Sequence, residues 1–352
     1  MKRIFNYLTV AILAASCTVT GPGPDDAGDG RVTLTVNLDP AETKSLVDNG
    51  SDKSLNDYQV LVFNHRNELE ASTDLKSGAL SVNLQVIPGT KRVWAVGNVG
   101  EKITPSSLAT MSTPTIRLND NRQANFLMSA NGNATVTTSF TLSLPLKRIV
   151  SKVVIEKIVR DFTNEDYAAI PLTIKRIYMS NVVGDSDFGG ENGGAVWYNR
   201  WGIVDDSQHQ PEAVSTLIMA DNINASLPNS GSYSTKHTFY VCPNATTTDA
   251  FGATIVDGEK VWTPRHTRLV VECDYNGNTC YYPITLPHSS DPNNPGTLQG
   301  NMVYKISQLT LKRPGSTDPD IPEDEVTSQV PYTFKLTIAA WEESTAYTET
   351  FE

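Results

Sequence analysis

The chain has 352 residues, which is enough to bury a sizeable core and suggests about two domains. Charged residues make up 19 % of it, and its 23 Gly and 20 Pro favour a turn-rich β protein over a helical bundle. The formal net charge of −11 argues against nucleic-acid binding and against direct adhesion to anionic membranes.

The N-terminus has the order of a secretory signal. Lys2 and Arg3 precede an apolar run over residues 4–13, and small residues lead into Cys17. The run is too short for a stable membrane-spanning helix. We therefore predict a signal peptide over residues 1–16 and a lipoprotein whose Cys17 carries the lipid and is its only membrane link. An ordinary signal followed by a chance cysteine is the alternative. Loss of the signal takes the net charge to about −13, since two cations leave.

The first predicted strand follows a flexible tether. Residues 18–30 are rich in Gly, Pro and Asp and cannot bury apolar surface. Apolar and polar residues then alternate without a break, which is typical of a half-buried strand with one apolar face, made by Val32, Leu34, Val36 and Leu38. A polar loop over residues 39–57 follows, and Lys44 and Lys53 are its only basic residues.

The rest of the chain reads as a series of short strands separated by turn residues, which is typical of β-sandwiches. We predict a domain boundary near residues 144–146, with an N-terminal domain over residues 45–145 and a C-terminal domain over residues 146–331. The Gly-rich stretch over residues 183–194 is predicted to be an insertion in the second domain.

Three cysteines remain after Cys17, and an odd count is not a disulfide framework. Cys273 and Cys280 flank an Asn276-Gly277 hairpin turn, which places them opposite each other. The sequence leaves two possibilities for this pair, a disulfide or two buried thiols. Cys242 has no such neighbour in the sequence.

The C-terminal segment repeats the pattern of the first strand. A Pro/Asp/Glu linker over residues 314–331 is followed by a second alternating run with Phe334, Leu336, Ile338 and Ala340 on one face. In one interpretation, the N-terminal strand fills a groove in the precursor and leaves after a cut in the 39–57 loop, and the C-terminal strand of another copy then enters. A head-to-tail contact of this kind forms a filament. The alternative is that both strands simply belong to the chain's own sheets.

Several short pieces in order carry a family resemblance over most of the chain, from Cys17 onward. They are Tyr58-Gln-Val-Leu-Val-Phe-Asn64, Gly89-Thr-Lys-Arg-Val-Trp-Ala-Val-Gly-Asn98, Leu146-Lys-Arg-Ile-Val-Ser-Lys-Val-Val154, Asn301-Met-Val-Tyr-Lys-Ile306 and Ala339-Ala-Trp341. Together with the lipoprotein signal and the first strand, this set resembles the FimA-type major fimbrillins, the lipoprotein precursors of fimbrial stalks in Gram-negative anaerobes.

The resemblance implies an all-β protein with two transthyretin-like β-sandwich domains in tandem and exchange strands at both ends. It places the maturation cut between Lys44 and Ser45, so that residues 17–44 are a propeptide. Family members use an arginine at this point, so the lysine indicates a trypsin-like or lysine-specific protease. The implied donor segment is residues 332–352, with Trp341, Tyr347 and Phe351 as candidate donor residues beyond the alternating run. Residues 342–352, which have Tyr347 and Phe351 on one strand face, are the favoured reach of the donor arm, and residues 334–340 are the alternative part of it.

The predicted function is therefore a structural subunit of a cell-surface fimbria, exported as an outer-membrane lipoprotein precursor. Its partners are further copies of itself, a maturation protease, and accessory anchor and tip subunits. A subunit that keeps its lipid and acts as the anchor is an alternative within the family.

No catalytic constellation is present in the sequence, and we predict no enzyme, cofactor or metal. The five histidines are scattered, and Asp185, Asp187 and Glu191 lie in a Gly-rich loop without EF-hand spacing. An aromatic cluster of Trp197, Tyr198 and Trp201 lies beside this loop. Packing is its favoured role, and glycan binding by a surface lipoprotein is the alternative from another functional class.

Overall fold

The computed structural model describes residues 30–40, 52, 54–122, 124–191, 193–200, 215–247, 254–256, 259–261, 263–286, 297–319, 332–340 and 347–351. Strands dominate the described chain, as the sequence predicts. The helices are short: α1 is Glu165–Ala168, α2 is Ser215–Ile218, and two 3₁₀ turns cover Leu108–Ser112 and Leu118–Asp120.

The described residues of the first half form eight strands. They are β1 (Val32–Pro40), β2 (Tyr58–Phe63), β3 (Leu69–Ser72), β4 (Ser81–Val86), β5 (Gly89–Gly97), β6 (Ile116–Arg117), β7 (Met128–Val136) and β8 (Phe140–Arg148). Seven of them pair in the order β3-β2-β5-β7-β8-β1-β4. The pairings are antiparallel except that between β1 and β8, which is parallel.

These seven strands form two layers with an apolar core between them. β7 and β8 pair only over Met128 and Ser129, so this end contact joins a β8-β1-β4 layer to a β3-β2-β5-β7 layer. Inward residues of both layers belong to one cluster, which includes Leu34, Val60, Leu84, Val93, Val136 and Leu144. Alternation of apolar and polar residues along β1, β4 and β8 leaves the opposite face of that layer polar.

The second half of the chain contains the remaining strands. They are β9 (Ser151–Ile155), β10 (Ile158–Arg160), β11 (Leu172–Ser180), β12 (Val182–Val183), β13 (Asp185–Ser186), β14 (Trp197–Tyr198), β15 (Met219–Ala220), β16 (Ala225–Ser226), β17 (Ser232–Tyr233), β18 (His237–Val241), β19 (Thr254–Val256), β20 (Glu259–Val261), β21 (Thr267–Tyr275), β22 (Asn278–Leu286), β23 (Met302–Leu311), β24 (Tyr332–Ala340) and β25 (Tyr347–Phe351).

Two sheets enclose a second core. One has the order β17-β10-β23-β24-β25 and includes β9 and β18, and the other contains β11, β15, β16, β21 and β22. Residues of both contribute to one apolar cluster, among them Val153, Ile177, Val271, Tyr282, Ile306 and Phe334. The predicted boundary at residues 144–146 lies within β8, and the next strand begins at Ser151. The predicted division into two domains remains a prediction.

The stretch over residues 183–194 connects the two halves. β13 pairs antiparallel with β6 of the first half. The N–H of Thr115 donates to the carbonyl of Ser186 at 3.1 Å, and the N–H of Phe188 donates to the carbonyl of Met111 at 3.1 Å. Predicted as an insertion in the second domain, this segment forms a backbone contact between the halves.

Candidate functional site

The first strand lies inside its sheet and has a neighbour on each side. β1 pairs antiparallel with β4 over residues 32–37 and parallel with β8 over residues 34–40. Among the described residues, β4 pairs with β1 alone, which makes β4 the edge of this sheet. Removing β1 would therefore leave a gap with two facing strand edges. We call this gap the slot.

The inward face of β1 is part of the first core. Leu34 and Val36 are fully buried, and Leu38 is 5 % exposed. Leu84 and Val86 of β4 belong to the same apolar cluster. A buried aliphatic side chain contributes roughly 1.5–3 kcal/mol to stability. Leu34, Val36 and Leu38 therefore hold β1 in place mainly by apolar burial.

The outward face of β1 is held by side-chain hydrogen bonds to β4. The Gln85 amide donates to Thr33 Oγ1 at 3.2 Å, and Thr35 Oγ1 donates to Asn83 Oδ1 at 2.8 Å. Ser81 Oγ donates to Asn37 Oδ1 at 2.7 Å. We call Ser81, Asn83 and Gln85 the polar ladder. Each of its residues lies directly opposite its partner on β1.

The loop after β1 contains the predicted cut. Lys44 and Ser45 lie outside the described residues, as does Cys17, so these assignments remain predictions. Asp52, near the end of this loop, is described and is 1 % exposed. Its carboxylate lies 2.6 Å from Lys152 Nζ on β9, and Arg148 donates to its carbonyl at 2.8 and 3.0 Å. The far end of the loop is thus bound where the first half of the chain meets the second.

The Asp52–Lys152 pair is almost fully removed from water. Burial lowers the pKa of Lys152, although the facing Asp52 carboxylate opposes that shift. Breaking such a pair by removing one partner leaves an uncompensated buried charge.

The C-terminal residues lie in the chain's own second sheet. β24 pairs antiparallel with β23 on one side and with β25 on the other. Phe334 and Leu336 are buried in the second core, and Ile338 is half-buried against it. Tyr347 pairs with Ile338 through the backbone, and Phe351 pairs with Phe334. Ala340 ends β24, and Trp341 lies outside the described residues.

The structure places the predicted aromatic cluster partly in the second core. Trp197 and Tyr198 form β14, which pairs with β12, and both are half-buried. Trp197 Nε1 donates to the carbonyl of Gly194 at 2.7 Å, and both rings pack against the second core. The packing role is therefore confirmed for Trp197 and Tyr198, while Trp201 lies outside the described residues.

Acidic residues of the neighbouring loop accept hydrogen bonds from its backbone. The Asp185 carboxylate accepts from the N–H groups of Gly194 and Val196 at 2.8 and 3.2 Å and lies 3.4 Å from Arg117 Nη1. Asp187 Oδ1 accepts from the N–H of Glu191 at 3.0 Å. Within the described part of the chain, no group of three His, Cys, Asp or Glu residues has the geometry of a metal site.

The described cysteines are buried thiols. Cys273 and Cys280 lie opposite each other in the β21–β22 hairpin and are not joined by a disulfide, and Cys242 is also free. Burial raises the pKa of both Cys273 and Cys280, which disfavours the reactive thiolate. In the described residues, no helix has the length and apolar character needed to cross a membrane.

Comparisons with known proteins agree with the resemblance inferred from the sequence. Residues 31–176 match the family model of the major fimbrial subunit protein FimA. No curated protein matches the chain. The match confirms the resemblance to FimA-type fimbrillins. The matched residues include β1 and the whole polar ladder, and therefore the slot.

Solved structures share the fold. A fimbrilin, FimA, from Porphyromonas gingivalis W83 is 15 % identical, with 89 % of this chain and 98 % of that chain covered and a TM-score of 0.63. A suspected cell adhesion protein from Bacteroides eggerthii DSM 20697 is 17 % identical, with 89 % and 96 % covered and a TM-score of 0.61. Another, from Parabacteroides distasonis ATCC 8503, is 14 % identical, with 90 % and 98 % covered and a TM-score of 0.60. These similarities confirm the all-β fold.

Proposed function

We propose that this protein is a structural subunit of a cell-surface fimbria that polymerises by donor-strand exchange. The observation that carries the proposal is the position of β1, an N-terminal strand inserted between β4 and β8. The match of residues 31–176 to the FimA family supports it. On this proposal the protein has a scaffolding role and is not an enzyme.

The precursor is protected by its own first strand. With β1 in place, the edges of β4 and β8 are both paired, and no other chain can add to them there. β1 is also covalently attached, so an incoming strand competes against an intramolecular contact. Export as a lipoprotein on Cys17 keeps this closed form at the outer membrane until maturation.

Maturation opens the slot by a cut between Lys44 and Ser45. β1 then departs with residues 17–44 and the lipid. The loop end at Asp52 keeps its ion pair with Lys152, because Asp52 lies beyond the cut. The cut thus separates a strand held by sheet contacts from a loop end held by a buried ion pair.

The C-terminal segment of another copy fills the slot. The proposed donor residues are Phe334, Leu336, Ile338, Ala340, Trp341, Tyr347 and Phe351. Since the slot and the donor are different surfaces of one molecule, the contact is head-to-tail and does not close on itself, so it extends into a filament. Anchor and tip subunits are the proposed ends of that filament, and a protease makes the cut that starts its assembly.

Locking β1 in the slot tests this proposal. Thr35 and Asn83 lie directly opposite each other, so Thr35→Cys with Asn83→Cys should form a disulfide that retains β1 after the loop is cut. We expect cut, oxidised protein to remain monomeric on size-exclusion chromatography and to polymerise once reduced. The matched control is Thr90→Cys with Thr135→Cys, an exposed facing pair on β5 and β7. Polymers from the oxidised slot variant would contradict strand exchange at β1.

A further inference from the structure

The polar ladder has a hydrogen-bonding pattern of its own. Gln85 and Ser81 act as donors towards β1, and Asn83 acts as the acceptor between them. All three side chains are exposed on the outer face of β4, where they do not contribute to the apolar core. Their order along the strand is therefore donor, acceptor, donor.

Such a pattern can define the register of a strand in the slot. A slip by one residue turns the apolar side chains outward and is strongly disfavoured. A slip by two residues keeps them inward, so the apolar face discriminates poorly among registers that differ by two. After every such slip, the outward-facing side chains lie opposite different residues. The stability of the strand pair changes with them, because it depends on which side chains face each other across the strands.

We propose that the polar ladder selects strand β24 of a second copy of this chain and fixes its register, with Thr333 opposite Gln85, Lys335 opposite Asn83 and Thr337 opposite Ser81. This inference rests on the proposed function, since it requires the slot to be vacated by β1. It identifies one of the two C-terminal strands as the donor and assigns three acceptor residues to its recognition.

The polar side chains of β24 match the ladder in this register. The Thr333 hydroxyl replaces that of Thr33 as the acceptor for Gln85. The Lys335 ammonium replaces the Thr35 hydroxyl as the donor to Asn83. The Thr337 hydroxyl replaces the Asn37 amide oxygen as the acceptor for Ser81. All three ladder residues thus keep the roles that they have with β1.

The apolar face of β24 fits the same alignment. Phe334, Leu336 and Ile338 take the inward positions that Leu34, Val36 and Leu38 occupy in the first core. β24 already uses Phe334 and Leu336 as inward residues in its own sheet, so the alternation required by the slot is the one that it adopts there.

Slips of β24 by two residues lose ladder partners. In one direction Pro331, which precedes β24 in the sequence, comes opposite Gln85, and in the other Ala339 comes opposite Ser81. Neither side chain forms a hydrogen bond with the ladder.

The last strand, β25, is a poorer occupant of the slot. Its larger apolar residues, Tyr347 and Phe351, share a face with Glu349. Placing that face inward buries a carboxylate in an apolar core, which is costly without a partner. Placing it outward turns both aromatic residues away from the core. β24 has no acidic residue on either of its two faces.

A crosslinking experiment reads the register without touching the ladder. Ser143 on β8 lies opposite Asn37 of β1, so in the proposed register it lies beside Thr337 of the donor. Acceptor chains carrying Ser143→Cys are cut and mixed with cut donor chains carrying Thr337→Cys, Lys335→Cys or Ala339→Cys, and then mildly oxidised. We expect the Thr337→Cys donor to give roughly tenfold more crosslinked dimer than either slip probe, since each slip loses hydrogen bonds.

A charge exchange tests the ladder directly. Asn83→Lys places a cation opposite Lys335, and we expect roughly threefold slower polymerisation, because directly opposed like charges destabilise a strand pair. A Lys335→Glu donor should restore the rate with the Asn83→Lys acceptor. Thr135→Lys is the matched control and should polymerise normally, because Thr135 is an exposed residue of β7 that faces the uncharged Thr90. Denaturant unfolding of each uncut precursor verifies that it is folded.

The outcomes separate this inference from the proposed function. Absence of polymers from cut, unsubstituted protein would overturn both. Polymers that crosslink best through Lys335→Cys or Ala339→Cys, or equally through all three probes, would overturn the assigned register and leave strand exchange in place. Normal polymerisation of Asn83→Lys, or no rescue by Lys335→Glu, would overturn recognition by the ladder.

Discussion

The two terminal strands differ in what their departure does to the sheets that they leave. β1 lies between β8 and β4, and its removal exposes two facing edges in the first sheet. β24 and β25 lie together at one end of the second sheet, and their removal leaves a single unpaired strand edge there, that of β23. β23 remains paired with β9 and β10 on its other side.

Under the proposed strand exchange, this difference suits the two strands to opposite roles. A strand that closes a sheet from inside leaves a shaped gap, which makes an acceptor. A pair of strands at a sheet edge can leave while the rest of its sheet stays paired, which makes a donor. The alternating pattern alone is nearly the same in both segments, so position in the sheet distinguishes them.

The largest expected effect comes from a charge in the buried face of β1. Val36→Asp places a carboxylate at a fully buried position, and we expect the uncut precursor to lose about 4 kcal/mol or more of unfolding free energy. Asn37→Asp, one residue further and on the outward face, should change stability far less. Urea unfolding measures both. Equal, small losses would contradict the structural role of the inward face of β1.

Leu336→Asp sharpens this comparison on β24. We expect it to release the β24–β25 edge while the first sheet stays folded, as amide hydrogen exchange would show. Rapid exchange in β2 and β5 would contradict the independence of the two ends.

The next effect concerns the loop end at Asp52, which lies beyond the proposed cut. Asp52→Asn removes a partner from a buried ion pair, and we expect a loss of about 3–5 kcal/mol. Asp74→Asn is the matched control, because Asp74 pairs with Lys102 at the same 2.6 Å distance but on the exposed surface. That change should cost far less, because exposed ion pairs contribute little to stability. Equal losses in urea unfolding would show that Asp52 does not anchor the loop.

The smallest effect is a pH dependence remote from both terminal strands. Burial lowers the pKa of His237, whose Nε2 lies 2.8 Å from the Tyr233 hydroxyl. Between the lowered pKa and the ordinary value of 6.5 the unfolded chain binds more protons than the folded one, so stability falls as pH falls through this window.

His237→Gln should remove a few tenths of a kcal/mol of this pH dependence, since the side chain is partly exposed and solvent screens its effect. His65→Gln, at an exposed position, is the matched control for the substitution itself. Urea unfolding at several pH values below 7 measures both. An unchanged slope in His237→Gln would contradict the assignment.

The alternation of apolar and polar residues was sufficient to predict β1 and β24. The same alternation is present in Ser81-Val-Asn-Leu-Gln-Val86, the segment that forms β4, which is not among the strands predicted above. The polar ladder was missed with it. The signal was available there, because Val82, Leu84 and Val86 alternate with three polar residues that suit an exposed face.

Other features of the site depend on contacts between distant residues. The parallel pairing of β1 with β8 joins residues more than 100 positions apart, and Asp52 meets Lys152 across a separation of 100. Local pattern carries no information on such partners. The role of Asp185 depends on such a contact too, because its carboxylate holds a loop backbone beside Arg117 of the first half.

The most direct test of the account combines the intact mass and N-terminal sequence of protein sheared from cells with its size before and after limited proteolysis. The account predicts a mature chain that begins at Ser45, and multimers that appear only when residues 31–44 are lost. Sheared protein that retains lipid on Cys17, together with cut protein that remains monomeric, would contradict strand exchange at the slot.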